Sequence, residues 1–440
     1  MPQFNRNAAL SWTLSALVAW PSALGLACPA FLAAKELPGL AGARRDLRLF
    51  ALVMHDGKRL WQVLPVQVDP LGSDGVLQAH GDGDPGRESL PVATTDRISL
   101  RREGFGLRLA ASDPPPCQTP TVIELQNPET PSLFGYLTTC AGGTNQASPD
   151  PIVHDAERRQ ITGERFVYEY QPNNQLMYKT LNAKGPWGKP VLAGSDADLN
   201  MHLDIADFFN LDFTNGDVES YVGNVDIGKV GMVASIDFFL RVLFFKINLK
   251  MSTTVGFFAD AAHIPTVIDV PIDAPGQLNP GSGILYTWVP QGAVIDASKP
   301  SATMPIADPK VIGQGFAISA RVGLPYCHGA FCSYKLRGTI ANEAFGLDVS
   351  LPRIMVEHGF YPQWVADVSA FKRALDWPVD DNEAHQVAVY FDNSGLLKGQ
   401  YKMDQWLRIG KPAAIATDCP RAVNIGKPIR FETSSAKVAH

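Results

Sequence analysis

The stretch Gly231–Phe258, GMVASIDFFLRVLFFKINLKMSTTVGFF, restricts the fold more than any other part of the chain. It is the most apolar run outside the N-terminus, and neither proline nor glycine interrupts it between Met232 and Val255. In its second half Phe245, Ile247, Leu249, Met251, Val255 and Phe257 alternate with Lys246, Asn248, Lys250, Ser252 and Thr254. A period of two marks a strand with one buried and one wet face. In the first half the phase reverses, and Ile236, Phe238, Leu240, Val242 and Phe244 form the apolar row opposite Asp237 and Arg241. Read as one long strand, the run needs a β-bulge near residues 243–245 to restore a common face. A helix competes for the first half, because Ile236, Phe239, Leu240, Leu243, Phe244 and Ile247 also keep helical spacing. The β-rich flanks favour the strand.

Composition points the same way. Charged residues make up only 19% of the 440 positions, while 38 glycines and 34 prolines suit many short strands joined by turns. A net charge of -6 offers no basic surface for nucleic acid and no polybasic membrane patch.

Residues 1–27 read as a signal peptide. Arg6 supplies the positive start, and the apolar segment Ala8–Trp20 is too short to span a bilayer before Pro21. Gly25 and Ala27 suit cleavage before Cys28, leaving a mature chain with no transmembrane span. Lipidation of Cys28 is the competing reading, weakened by Gly25 where such signals carry leucine. The expected location is outside the cytoplasm: periplasmic, outer-membrane-associated or secreted. Six cysteines fit an oxidising compartment, and proximity pairs them as Cys117–Cys140, Cys327–Cys332 and Cys28–Cys419. Metal binding by Cys327, His328 and Cys332 lacks a second ligand pair.

The expected fold is mainly β. A small N-terminal β-sandwich over residues 28–145 is followed by a larger antiparallel β-sandwich over 156–415, with a polar, frayed tail over 416–440. HDGK at His55–Lys58 marks a hairpin between Arg45–Val53 and Arg59–Val68, with Pro65 breaking the second arm. Further strand pairs are expected at Thr121–Gln126 with Leu133–Thr139, and at Arg165–Tyr170 with Gln175–Leu181. Others are Phe316–Gly323 with Ser333–Ile340, and Gln386–Phe391 with Gly399–Ile409.

Three segments carry candidate chemistry. In the Gly/Asp-rich loop Asp69–Ser89, Asp69, Asp74, Asp82 and Asp84 are candidate oxygen ligands for Ca²⁺, without EF-hand spacing; a solvated loop is the plainer reading, and no other cofactor is implied. In Ser195–Phe213, Asp198 and His202 stand one helical turn apart as candidate ligand-binding residues. The same spacing suits a helix capped by Ser195 that packs Met201, Ile205, Phe208 and Phe209 inward. In EHGFYPQW, Glu357, His358, Tyr361 and Trp364 offer an acid, an imidazole and flat rings, which a carbohydrate site would use. Core packing beneath a turn, with His358 merely hydrogen-bonded, is the plainer reading. Gly281-Ser282-Gly283 is not a nucleophile elbow. No P-loop, GxGxxG, HExxH or CxxCH occurs.

By elimination, the reading placed first is an exported envelope protein with a non-catalytic binding or structural role. A carbohydrate-active enzyme is the second, with Glu357 and Asp198 segments meeting in one cleft. A carrier of an apolar ligand or lipid is the third, motivated by the two-phase apolar run. The expected partner is an envelope component, a glycan or an apolar ligand.

Overall fold

The computed structural model describes residues 29–37, 47–72, 91–117, 121–128, 130–140, 151–175, 178–183, 190–193, 199–205, 209–214, 216–242, 245–270, 272–290, 326–340, 343–365, 368–379, 387–410 and 424–430. Strands dominate throughout, with only two short α-helices, Arg353–Glu357 and Val368–Ala374, among the described residues. The mainly-β expectation holds.

Gly231–Phe258 is the hub of an eight-stranded antiparallel sheet. In spatial order its strands are Val218–Ile227, Gly231–Val242, Phe245–Phe258, Ala261–Val270, Gly399–Gly410, Glu343–Pro352, Phe331–Ile340 and Tyr326–His328. The apolar run is not one bulged strand but a tight hairpin, in which Val242 opposes Phe245. The phase reversal is therefore the chain turning back on itself. A register shift does occur, but lower down, between Asp237 and Phe238. Met232, Ala234, Ile236 and Phe238 face the core from one arm and Val255 and Phe257 from the other, while Asp237 is exposed. The side chain of Phe245 lies outside the described residues. With the reversal explained by a turn, the motive for an apolar-ligand carrier disappears.

The facing sheet runs Phe209–Phe213, Leu199–Ile205, Gly283–Pro290, Pro190–Ala193, Tyr178–Ala183, Phe166–Tyr170, Gln160–Thr162 and Val153–Asp155. Val387–Asp392 pairs with Gly283–Pro290, and Gln363–Val365 pairs with Val387–Asp392. Its Ile161, Phe166, Tyr168, Tyr170, Leu181, Val389 and Phe391 meet the inward row of the eight-stranded sheet. Phe257 lies 5.2 Å from the Tyr168 ring and 6.3 Å from Phe166. Two corrections follow. Gln386–Phe391 and Gly399–Ile409 are not a hairpin, because the chain crosses between sheets at the turn joining them. Ser195–Phe213 is not a helix: where described, it forms two paired strands, Leu199–Ile205 and Phe209–Phe213.

The first sandwich packs a three-stranded sheet (Ala30–Ala33, Arg97–Leu100, Val66–Asp69) on a five-stranded one. Leu32, Ile98, Leu100, Leu49, Ile123, Leu125 and Leu137 lie between them. The HDGK hairpin forms as read, with Asp56 at φ 48° and Gly57 at φ 72°, the left-handed pair that a two-residue turn needs. The Cys117–Cys140 bridge closes beside strands Thr121–Gln126 and Phe134–Thr139, and Cys327–Cys332 closes its own short hairpin. The strand pairing with Phe331–Ile340 comes from Tyr326–His328; Phe316–Gly323, Cys28 and Cys419 lie outside the described residues. The tail expected to fray is corrected in part. Asn424–Arg430 is a strand paired with Thr121–Gln126, so the far end of the chain completes the N-terminal sheet.

The three-stranded sheet docks on the outer face of the eight-stranded one. Phe31 inserts among Phe258, His263 and Trp406, at ring distances of 5.8, 5.9 and 5.7 Å. The Gln67 side-chain carbonyl accepts the N–H groups of Val230 and Gly231, both at 3.1 Å, while its amide donates to Asp69 at 2.6 Å. Gln67→Leu would leave two buried N–H groups without an acceptor. It is expected to cost about 2–4 kcal/mol in urea unfolding; an unchanged midpoint and slope would show that the two sandwiches are held together elsewhere.

Candidate functional site

Among the described residues, those singled out from the sequence do not gather in one cleft. Glu357 ends the helix Arg353–Glu357 with its side chain 60% exposed, and its only ion pair among the described residues is a loose one with Arg353 at 3.9 Å. The His358 N–H closes that helix onto Ile354 and Met355 carbonyls at 3.2 Å. Tyr361 lies parallel to Tyr334, ring centroids 6.2 Å apart, against the sandwich core. Trp364 sits opposite Val389; its side chain, like the whole of Asp198, lies outside the described residues.

His202 is on the same sheet but elsewhere. Register runs from Trp364 through Val389 and Tyr286 to Leu199, so three strand spacings, about 14 Å, separate the two segments. The expected partner of His202 is also corrected. Strand pairing brings Asp212 across, with its Oδ1 2.5 Å from His202 Nδ1. The His202 ring stacks on Trp377 at 5.1 Å, under the helix Val368–Ala374, whose Lys372 donates to Asn200 at 3.3 Å.

Asp69 is fully buried and accepts hydrogen bonds from Arg97 (2.8 Å), Gln67 (2.6 Å) and Ser99. Its carboxylate is therefore committed to the docking seam rather than to a loop cation. Asp74, Asp82 and Asp84 lie outside the described residues. No group of three metal-ligating side chains assembles among the described residues.

A different set does converge, at the edge where the two sandwiches meet. Asp260 occupies the tight turn between strands Phe245–Phe258 and Ala261–Val270. The Arg165 N–H donates to the carbonyl of Ala259, and the Ile409 N–H to that of Asp260, both at 2.9 Å, so this turn is pinned from two sides. Arg165 and Glu164 come from the turn after strand Gln160–Thr162. Arg101 and Glu103 come from the first sandwich, just after strand Arg97–Leu100.

The Arg101 guanidinium bridges the seam, with Nε 3.4 Å from Glu103 and Nη2 3.2 Å from Glu164. Burial opposes its charge, but these two carboxylates, with Asp260, more than offset that and raise its pKa. Asp260 behaves in the opposite sense. Burial, reinforced by Glu103 and Glu164 and only partly offset by Arg101 and Arg165, pushes its carboxyl up to about 7. Three carboxyl groups from three separated segments thus share one seam, and one of them holds its proton near neutral pH.

Sequence reading passed over this set because its members fall at 101, 103, 164, 165 and 260, with no common spacing. The one local signal is a lone acid in an otherwise apolar run, VGFFADAAHI.

The fold is a pair of antiparallel β-sandwiches with a carboxyl-lined seam between them. No protein-family model matches the chain, and no curated protein matches it in sequence. Among solved structures, it is similar to a protein in the glycosyl hydrolase family 38 from Enterococcus faecalis, with a TM-score of 0.40 and 11% identity. The match covers 87% of this chain and 42% of that one. It is also similar to an alpha-mannosidase from Enterococcus faecalis V583, with a TM-score of 0.38, 11% identity and coverage of 88% and 41%. The chain thus spans less than half the length of either. Against these neighbours the reading placed first, a non-catalytic binding or structural role, is corrected and not carried forward. At these TM-scores the likeness assigns a role to no residue.

Proposed function

We propose that the chain is an exported carbohydrate-active enzyme that hydrolyses glycosidic bonds at the seam around Asp260. The carrying observation is the carboxyl set itself. Hydrolysis of a glycosidic bond needs one carboxyl that is protonated at working pH and a second that acts as base or nucleophile. Asp260, raised to about 7, is the acid that protonates the leaving oxygen. Glu164, held on Arg101 and 54% exposed, is the carboxylate that activates water, and Glu103 shares the same guanidinium. Two carboxyls in two environments divide the roles. Export is supported by the signal-like residues 1–27 and by two closed disulfides.

The test is hydrolysis of a panel of aryl glycosides and short oligosaccharides by the full chain. Glu164→Gln is expected to lower the rate on the best substrate 10²–10⁴-fold with unchanged unfolding. The rate should fall as pH rises through about 7, where Asp260 loses its proton. A panel with no substrate, or a rate still climbing at pH 9, would overturn the assignment.

A further inference from the structure

Phe31, the side chain by which the first sandwich docks, closes over a histidine. His263 lies on the outer face of the eight-stranded sheet and is only 7% exposed. Its ring stacks on Trp406 at 4.2 Å, and the Phe31 ring lies 5.9 Å away. Val230 and Phe258 join Phe31 and Trp406 in one apolar cluster at this junction. His263 Nε2 faces Asp404 Oδ1 at 3.2 Å, so the imidazole carries its proton on that nitrogen and donates it to the carboxylate. Nδ1 is buried and meets no hydrogen-bond partner among the described residues.

This arrangement suits a neutral ring. A second proton would go to Nδ1 and create an N–H donor with nothing to accept it, sealed beneath Phe31. The surrounding charges do not repair that. Asp404 favours the cation, but its side chain is 35% exposed and water screens it. Arg97, whose guanidinium lies 4.1 Å over the Phe31 ring, and Lys402 both oppose it. The other two carboxylates nearby are engaged, Asp69 by Arg97 and Asp348, across Trp406, by Arg408. The strand on the other side sets only Gly256 opposite the ring. Burial therefore prevails over Asp404 and lowers the pKa of His263 from its ordinary 6.5.

We propose that the junction between the sandwiches is an acid-released latch, in which protonation of His263 drives Phe31 out and lets the first sandwich part from the second. Linkage gives its direction. The docked form binds fewer protons than the released form in the interval below 6.5, so docking is intact above that pH and weakens as pH falls through it. Asp260, three residues earlier in the chain, titrates with the opposite sign. Release would also part the bridge from Arg101 to Glu164. The latch goes beyond the hydrolytic reading and does not rest on it.

Two amides report on the latch directly. The N–H groups of Val230 and Gly231 are satisfied by Gln67 of the first sandwich, so their hydrogen exchange accelerates when the sandwiches part. In the full chain, with the intrinsic pH dependence of exchange divided out, both are expected to exchange about tenfold faster or more at pH 4.5 than at pH 7.5. Amides of residues 234–236, inside the large sandwich, should keep their protection. His263→Phe, which stacks on Trp406 but takes no proton, should abolish the acceleration; His263→Gln replaces it if that variant does not fold. Asp260→Asn should retain the acceleration. Equal protection of the two amides at both pH values, an acceleration that survives the His263 substitution, one that vanishes in Asp260→Asn, or one shared by residues 234–236 would each overturn the latch. A glycoside panel without a substrate would strike the assignment at Asp260 and leave the latch standing.

Discussion

Asp260→Asn is expected to abolish glycosidic hydrolysis while making the protein more stable above neutral pH. The sign follows from linkage. A carboxyl held at about 7 in the folded chain, against 3.8 as its ordinary value, keeps more protons folded than unfolded across that interval. Stability therefore declines as pH climbs from about 4 to 7 and levels off above. Asparagine imitates the protonated form and removes the slope. At pH 8 the gain should be roughly 1–3 kcal/mol once solvent screening of a partly exposed group is allowed for. Activity should drop 10²–10⁴-fold. A group kept where it harms the fold, and whose removal stabilises it, is what catalysis demands of an acid. Paired melting curves and rates at pH 5 and pH 8 check both halves. A variant that is less stable at pH 8 would mean that the ionised form is welcome in the seam.

Ile236→Asp is expected to unfold the large sandwich outright. Ile236 is 3% exposed in the row Met232–Ala234–Ile236–Phe238, opposite Thr253 on the return arm. The described residues that share its core cluster are apolar or aromatic, a surrounding that offers the new carboxylate no charge partner among them. Burying it costs on the order of 4 kcal/mol or more, a large share of the stability of an ordinary domain. Loss of the cooperative transition in circular dichroism is the expected readout. Asp237→Ala, one residue along on the exposed face, serves as the control and should melt as the parent does. A folded Ile236→Asp chain would remove that row from the core.

The alternation that told strand from helix in Gly231–Phe258 was legible because a half-buried strand needs it. The turn inside it was not. Its two connecting residues are Leu243 and Phe244, and neither carries the left-handed preference that announces a two-residue loop, as Asp56-Gly57 does. Helical spacing in Ser195–Phe213 misled for a related reason: acids at 198, 204, 207 and 212 fit either period, and only pairing across the sheet decides. Strand Asn424–Arg430 was hidden by its polar composition, since it lies at the edge of its sheet and needs no strongly apolar face. The candidate site was the least visible part. Chemistry that depends on residues 101, 164 and 260 meeting at a seam has no one-dimensional signature, whereas hairpins and neighbouring cysteine pairs do.

Pairing of Asn424–Arg430 with Thr121–Gln126 has a consequence for how the molecule is made. As the polypeptide emerges, residues 121–126 wait for almost the entire remainder before their outer neighbour arrives. The large sandwich can mature in the meantime, as a passenger threaded through an unfinished host. A ribosome stalled after residue 410 would therefore release a species with one finished half and one bare β-edge, an adhesive intermediate that chaperones would have to shield.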